Sequence, residues 1–231
     1  MKWDNTLLHG YRWCREISDL ETKQRRARKI VAEAQNGQVI GVGTGSSSFV
    51  GLCELGRRID TEGLRVTVIP AASEIALACA AMGIPLTTLD AAKPDWCFDG
   101  ADEIGADGNV VKGRGGGLFR EKLIIAAADR RWLIAEDRKF VAQAGAVPIP
   151  VEVFPQAVHL AEAGLLELGA SAVRLRLAAA KDGPVVTENG NLLLDCTFPS
   201  IPAGLEKAIK SLTGVIESGL FQGYDFSYIR D

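Results

Sequence analysis

Up to about residue 148, the chain alternates short apolar runs with longer stretches in which apolar residues recur every three to four positions. The short runs predict buried strands and the longer stretches predict amphipathic helices. The predicted strands are 39–42, 65–69, 96–98, 110–111 and 132–135. The predicted helices are 21–34, 47–57, 73–82 and 118–128. This alternation indicates an α/β fold: a doubly wound, mainly parallel sheet with helices on both faces.

The pattern changes at Pro148-Ile149-Pro150, which we interpret as a linker. Beyond it, strands are predicted at 151–154, 172–177, 185–187, 192–194 and 215–216, with helices at about 156–168 and 205–212. Asn189-Gly190 between two apolar runs is typical of a type I′ hairpin. The order β-α-β-β-α-β predicts a smaller α+β (ferredoxin-like) domain. We therefore expect an α/β catalytic domain at 1–148 plus about 217–231, and the small domain at 149–216.

Composition places the chain among ordinary globular proteins, since 47% of its 231 residues are hydrophobic and 24% are charged. The net charge of -3 argues against a dedicated nucleic-acid binder, and we expect no nucleic-acid partner. The first helix nevertheless carries a basic run, Lys23, Arg25, Arg26, Arg28 and Lys29. Between a nucleic-acid patch and a solvated helix face, we favour the solvated face because the run is short.

The five cysteines are widely spaced and form no C-x-x-C pair, which favours reduced thiols in the cytosol over disulfides or a zinc site. Only two histidines, His9 and His159, are present, too few for a His-rich metal centre. The first 15 residues contain no uninterrupted apolar core, and no segment approaches about 18 apolar residues. We expect a soluble, cytoplasmic protein without a membrane partner.

A glycine-rich turn, V-I-G-V-G-T-G-S-S-S at 39–48, joins a predicted strand to a predicted helix. Glycines let the backbone approach an anion, and the N–H groups at a helix start favour phosphate. The turn has no P-loop lysine, and Ser46 or Ser48 stands where a dinucleotide fingerprint needs its third glycine. It predicts a site for one small phosphate, with a simple turn and N-cap as the alternative.

Three carboxylates, Asp99, Asp102 and Glu103, follow the apolar run 96–98 in the sequence D-G-A-D-E. Open α/β sheets bind ligands at the carboxyl ends of their strands. Crowded carboxylates also raise one another's pKa, which suits general acid–base chemistry. An exposed acidic turn or a Mg²⁺ site are the alternatives.

The segment K-G-R-G-G-G-L-F-R-E-K at 112–122 has four glycines in the five positions 113–117. Such a backbone passes close to another group. Lys112, before the loop, could stabilise an oxyanion, and Glu121, after it, could move a proton between adjacent carbons. Glu121 alone is equally typical of a solvated helix residue.

Together, the three segments resemble the type A ribose-5-phosphate isomerase family. Its motifs are similar to G-V-G-T-G-S-S at 41–47, D-G-A-D-E at 99–103 and K-G-x-G-G-x-L-x-R-E-K at 112–122. Their order and the small second domain also match, so the resemblance covers nearly the whole chain. It implies an aldose–ketose isomerase of the pentose phosphate pathway that takes a small sugar phosphate, uses no cofactor or metal, and works as a homodimer or homotetramer.

The resemblance also implies a role for each motif residue. Asp99 and Asp102 would assist ring opening, Lys112 would polarise substrate oxygens, and Glu121 would transfer the proton between C2 and C1. The implied catalytic residues are Glu121, Asp99, Asp102 and Lys112. The implied substrate-binding residues are Thr44, Gly45, Ser46, Ser47, Asp99, Gly100, Ala101, Asp102, Lys112, Gly113, Arg114, Gly115 and Lys139.

The chain departs from the family pattern at Arg114, which replaces a loop glycine, and at Ala71-Ala72-Ser73, where a Thr-Ser pair is usual. These changes leave open a paralogue that isomerises another sugar phosphate. A non-catalytic sugar-phosphate sensor would have no use for both Lys112 and Glu121. An enzyme resembling coenzyme A transferases would need a nucleotide-sized pocket.

Overall fold

The computed structural model describes residues 11–230. Of these, a first compact unit holds 11–100, 121–136 and 225–230, and a second holds 101–120 and 137–224. The predicted domain boundary at residue 148 does not coincide with a boundary between these two units. The division into two independently folding domains stays a prediction. The first ten residues of the chain, which include His9, lie outside the described residues.

The described chain contains thirteen strands and six α-helices. The strands are β1 (Val39–Val42), β2 (Thr67–Pro70), β3 (Trp96–Asp99), β4 (Glu103–Gly105), β5 (Val110–Val111), β6 (Arg130–Leu133), β7 (Phe140–Val141), β8 (Ile149–Val153), β9 (Ala172–Leu175), β10 (Leu192–Thr197), β11 (Val215–Ser218), β12 (Leu220–Phe221) and β13 (Ser227–Tyr228). The helices are α1 (Leu20–Val31), α2 (Gly45–Glu62), α3 (Ser73–Met82), α4 (Leu118–Ala127), α5 (Val158–Glu167) and α6 (Leu205–Lys210). The predicted bounds of β1 and α3 are confirmed, whereas β6 begins and ends two residues before its prediction.

The first unit contains a five-stranded sheet in the order β13-β6-β3-β1-β2, and all its neighbouring strands are parallel. Ile40 and Val42 of β1 pack into a core with α1, α2 and α3. The opposite face of β1 lies against α4, because a Cβ at Gly41 would lie 2.2 Å from Ile124. Since side chains alternate along a strand, helices cover both faces. The doubly wound parallel sheet is confirmed.

The interpretation of the basic run in α1 as a solvated face is wrong for two of its residues. Arg26 is 0% exposed and donates to the carbonyl of Ala135, and Lys23 lies 2.7 Å from the carboxylate of Glu136. Buried cations are tolerated when they are paired in this way. The other three basic residues are exposed, so the prediction holds for them.

The second unit contains an antiparallel sheet in the order β11-β8-β10-β9, with α5 and α6. Numbered within the β-α-β-β-α-β unit, this order is 4-1-3-2, and the predicted α+β fold is confirmed. The predicted linker is wrong, because Ile149 and Pro150 lie in the buried central strand β8. Ile149 packs into the core with Val151 and Val153, so apolar alternation outweighed the two prolines.

The predicted hairpin exists, but its predicted type is wrong. Gly190 has φ +79° and donates to the carbonyl of Thr187 at 3.0 Å, while Thr187 donates to the carbonyl of Asn191 at 2.9 Å. Asn189 keeps a negative φ, since Asp19 is the one non-glycine with positive φ among residues 11–230. The turn therefore has three residues with glycine in the left-handed position. The predicted strand 185–187 is reduced to one bridge, Val186 to Leu192.

A third sheet, β12-β5-β4-β7, also belongs to the second unit. Of its strands, the sequence predicted only β5. Within residues 11–230, no helix is both long and apolar enough to cross a membrane.

Candidate active site

In the first unit, the chain order reverses between β1 and β3, whose carboxyl ends lie side by side. Ligands of open α/β sheets bind outside the strands at such a reversal. The glycine-rich turn follows β1, and Asp99 is the last residue of β3. The sequence therefore places two of its three motifs at the position where this fold binds ligands.

Gly43 lets the turn approach the strand end closely. Its N–H donates to the carbonyl of Phe98 at 3.0 Å, and a Cβ at this position would lie 1.8 Å from the carboxyl carbon of Asp99. A side chain is excluded there. The glycine is thus required by the packing of Asp99 against the turn.

Asp99 is held by donors from the turn and from its own strand end. It is 2% exposed, and its Oδ1 accepts hydrogen bonds from the Thr44 N–H at 3.2 Å, the Ser48 hydroxyl at 2.9 Å and the Gly100 N–H at 2.7 Å. Donors aimed at a carboxylate stabilise its ionised form and fix its orientation. The structure therefore presents an oriented Asp99 at the edge of the sheet.

Thr44 connects this aspartate to the predicted base. Its hydroxyl donates to Oε1 of Glu121, while its backbone N–H donates to Asp99. Glu121 is 2% exposed and lies in the first turn of α4. The alternative of a solvated helix residue is therefore excluded for Glu121. One threonine orients two buried carboxylates, an arrangement suited to proton transfer.

Thr44 is also the N-cap of α2, an 18-residue helix. Its hydroxyl is directed to Glu121 rather than to the helix backbone. Gly45, Ser46 and Ser47, which form the first turn, are half-buried. The N–H groups of a helix start carry partial positive charge and suit a phosphate.

The second unit holds the remaining predicted site residues. Asp102, half-buried, accepts the Arg114 N–H at 3.1 Å, and its own N–H donates to the carbonyl of Val111 at 2.8 Å. Lys112 is 3% exposed, and its N–H donates to the carbonyl of Gly219 at 2.8 Å. Ala101 and Lys139 are half-buried. Asp102 therefore shares a hydrogen bond with the glycine loop.

The side chain of Arg114 is exposed, while its backbone contributes to the loop. Gly113 has φ +101°, and a Cβ on it would lie 2.8 Å from Leu118. Gly115 is exposed. The loop thus presents backbone N–H groups rather than side chains.

Glu103 does not belong with the other two carboxylates of its motif. It is 5% exposed, and its two oxygens accept hydrogen bonds from the N–H groups of Gly145 at 2.7 Å, Ala146 at 3.1 Å and Val147 at 3.1 Å. A carboxylate with three backbone donors anchors a loop. The expectation that three crowded carboxylates share one site is wrong in this respect.

Two contacts to the predicted site residues were not predicted from the sequence. Ser48, which donates to Asp99, stands four residues after Thr44, so helical spacing could have placed both on one side of α2. Arg176 donates to the carbonyls of Gly113 and Arg114, and nothing in the sequence signals these contacts over 63 and 62 positions. Among residues 11–230, no group of three or more His, Cys, Asp or Glu side chains is arranged to hold a metal ion.

The parallel sheet defines an α/β protein that holds two buried, oriented carboxylates, Asp99 and Glu121, near its strand ends. The chain belongs to the ribose 5-phosphate isomerase A (phosphoriboisomerase A) family, whose model matches residues 67–229. The predicted family resemblance is confirmed.

Individual relatives agree over most of the chain. It is 43% identical to ribose-5-phosphate isomerase A of Natronomonas pharaonis, covering 88% of this chain and 90% of the relative. The solved ribose 5-phosphate isomerase A of Methanocaldococcus jannaschii is 37% identical with a TM-score of 0.87, covering 90% and 93% of the two chains. A D-ribose-5-phosphate isomerase solved with phospho-erythronic acid is 33% identical with a TM-score of 0.85, covering 88% and 91%.

Proposed function

We propose that this protein interconverts D-ribose 5-phosphate and D-ribulose 5-phosphate, with Glu121 as the base that carries the proton between C2 and C1. The observation that carries this proposal is the buried pair of Glu121 and the Thr44 hydroxyl, next to Asp99 at the ends of β1 and β3. A carboxylate fixed by a donor on one oxygen is positioned for repeated proton transfer.

The reaction begins with the furanose form of the aldose. Asp99 and Asp102 move protons between the ring oxygen and O1, which opens the ring. Support for Asp99 comes from its donors, which fix its orientation. The role of Asp102 rests on its place in the D-G-A-D-E motif.

Glu121 then takes the proton from C2 of the open aldose, leaving a cis-enediolate. The protonated Glu121 returns this proton to C1, and the proton on O2 moves to O1 as the ketose forms. Lys112 and the N–H groups of the glycine loop stabilise the negative charge on the enediolate oxygens. The net change is a 1,2 transfer of hydrogen, so no oxidant or reductant is consumed.

Phosphate binding is assigned to the start of α2, at Gly45, Ser46 and Ser47, which follow the N-cap residue Thr44. Support comes from the half-buried first turn and from the direction of the Thr44 hydroxyl, which leaves this helix start to an external anion. Lys139, half-buried in the 3₁₀ helix Asp137–Lys139, is proposed as a further substrate contact. Remote phosphate binding would align C1 and C2 with the base.

The test is the isomerisation itself, followed in D₂O. Purified protein and ribose 5-phosphate are expected to produce ketose absorbance, and deuterium from the solvent is expected at C1 of the ribulose 5-phosphate. Proton transfer through a carboxylate allows exchange with solvent, whereas direct hydride transfer would leave the product unlabelled. No ketose from ribose 5-phosphate would contradict the proposed function.

Assembly and compartment are further parts of this proposal: a homodimer or homotetramer in the cytoplasm. Assembly is supported by exposed apolar side chains near the edge strand β9, with Leu175 40%, Leu177 70% and Val186 48% exposed. Sedimentation equilibrium of the wild type and of Leu177→Lys would test it. A wild type that sediments as a monomer at micromolar concentration would contradict it.

A further inference from the structure

The glycine loop at 113–117 needs an external support to keep one conformation. Four glycines in five positions leave the unfolded loop many conformations, so ordering it costs free energy. Gly113 and Gly116 also have φ values of +101° and +89°. Precise placement of the N–H groups in this loop therefore depends on contacts from outside the loop.

Arg176 supplies such a contact from the small antiparallel sheet. Its Nη1 donates to the carbonyl of Gly113 at 3.1 Å and to that of Arg114 at 2.9 Å. On its other side, Nε donates to Oδ2 of Asp195 at 2.9 Å, and Nη2 donates to Oδ1 of the same residue. A guanidinium is planar, and two hydrogen bonds to one carboxylate fix its orientation.

The pair of Arg176 and Asp195 is positioned by two paired strands. Arg176 follows β9 directly, its N–H donates to the carbonyl of Leu193 at 2.9 Å, and Asp195 lies in β10. The side chains of Arg176 and Asp195 are 16% and 27% exposed, so their pair is partly shielded from water. Its position is set by the sheet rather than by the loop it holds.

The two carbonyl contacts fix two consecutive peptide groups. In a trans peptide the C=O and N–H point in opposite directions. The peptide between Gly113 and Arg114 is held at both ends, with its C=O on Arg176 and its N–H on Asp102. The C=O of the next peptide is also on Arg176, so the N–H of Gly115 is directed away from the guanidinium.

We infer that Arg176, oriented by Asp195, is a positioning residue that aims the Gly115 N–H and the Asp102 carboxylate for the reaction. This inference rests on the proposed function, because the proposed function assigns the loop N–H groups and Asp102 to contacts with substrate oxygens. Arg176 acts through the peptides it holds and does not touch the substrate.

The decisive variant is Arg176→Ala, with Arg174→Ala as the matched control. Arg174 is exposed on β9 two positions earlier, so its removal takes away the same charge without removing either carbonyl contact. We expect kcat for ribose 5-phosphate to fall about 10- to 100-fold in Arg176→Ala, since small misplacements of catalytic groups have effects of this size. We expect KM to change less than about threefold, because phosphate binding at α2 persists. In Arg174→Ala both constants are expected to stay near those of the wild type.

Chemical rescue separates positioning from general stability. Millimolar guanidinium ion can occupy the gap in Arg176→Ala and donate to the same carbonyls, so we expect it to restore part of the lost kcat. It is expected to leave Arg174→Ala unchanged. Arg176→Lys keeps the charge but lacks the planar fork, and it is expected to remain closer to Arg176→Ala than to the wild type.

Amide hydrogen exchange tests the same inference without any substrate. Residues 113–117 are expected to exchange about tenfold faster or more in Arg176→Ala, and at the wild-type rate in Arg174→Ala. If the wild type fails to isomerise ribose 5-phosphate, the proposed function is wrong, and exchange alone decides whether Arg176 orders the loop. Unchanged exchange, or an unchanged kcat in an active enzyme, would overturn the inference.

If Arg176→Ala does not fold, Asp195→Asn tests the positioning role of the Arg176–Asp195 pair instead. It preserves the shape of the aspartate but weakens its hold on the guanidinium. We expect a several-fold loss of kcat and faster loop exchange, smaller than for Arg176→Ala. Wild-type values of both quantities would overturn the role of the pair.

Discussion

The two units hold their proposed catalytic groups in different ways. In the first unit, Asp99 and Glu121 sit at the ends of regular elements, and the backbone and hydroxyl of Thr44 bind them directly. In the second, Asp102 is held by the N–H of Arg114, in a loop that itself depends on the distant Arg176. Regular elements position a side chain locally, whereas a glycine loop needs a support from elsewhere in the fold.

Two carboxylates of the D-G-A-D-E motif, Asp99 and Glu103, also differ in how they are held. Three hydrogen bonds to Asp99 converge on one oxygen at a sheet edge, whereas three backbone hydrogen bonds to Glu103 span both of its oxygens. Glu103 is committed to the 145–147 loop. Neighbouring positions in one acidic motif can therefore differ, with Asp99 proposed for chemistry and Glu103 holding a loop.

Glu121→Gln should give the largest effect. The amide keeps the shape of Glu121 and its contact with Thr44 but cannot accept the C2 proton, so turnover should fall about 10²- to 10⁴-fold or more. Ketose absorbance measures the rate, and circular dichroism checks the fold. Glu54→Gln is the control, because Glu54 is another buried carboxylate of the first unit, paired with Arg28 and Arg57. Near-wild-type turnover in Glu121→Gln would remove this residue from the mechanism.

Thr44→Val should give the next largest effect, since it removes the donor to Glu121 and keeps the backbone donor to Asp99. A hydrogen bond to a charged group contributes about 1.5–3 kcal/mol, so kcat/KM is expected to fall about 10- to 100-fold. Ser48→Ala removes one donor to Asp99 but leaves the N–H groups of Thr44 and Gly100. Its loss should be smaller, and the reverse order would show that Asp99 depends more on Ser48 than Glu121 does on Thr44.

Arg114→Gly tests whether the second unit contributes a side chain to sugar selection. Because the Arg114 side chain is exposed, kcat/KM for ribose 5-phosphate should change less than about tenfold, or 1.4 kcal/mol. Wild type and variant are compared on aldose phosphates of four to six carbons. A better substrate than ribose 5-phosphate, lost selectively in Arg114→Gly, would contradict the proposed substrate and keep the isomerase chemistry.

Excess EDTA should have no effect on turnover. Asp99 and Glu103 already accept hydrogen bonds from backbone N–H groups, which occupy positions that a divalent ion would need. The assay compares initial rates before and after chelation. Loss of activity that Mg²⁺ or Mn²⁺ restores would reassign Asp99 and Asp102 as metal ligands.

Much of the architecture was accessible from the sequence because local periodicity reports burial. Val39–Val42 and Ser73–Met82 were predicted with their observed bounds, and the Asn189-Gly190 turn was located correctly. The sheet β12-β5-β4-β7 was largely missed because its strands have two or three residues, too few to show a period. The prolines at 148 and 150 favour a linker by local pattern, but the buried strand β8 accommodates the second of them.

The sequence by itself determined the fold class, because spacing along the chain encodes which face of an element is buried and which residues end a strand. Its three motifs determined the family by resemblance and predicted the chemical groups of the site. Only the tertiary structure decided how those groups are held. The Thr44 contact with Glu121 joins positions 77 apart, and the Arg176 contact with Gly113 joins positions 63 apart. It also decided that Lys23 and Arg26 are buried rather than solvated. Such contacts depend on which strand ends and loops the topology brings together, and a hydrogen bond between distant residues leaves no periodic trace in the chain.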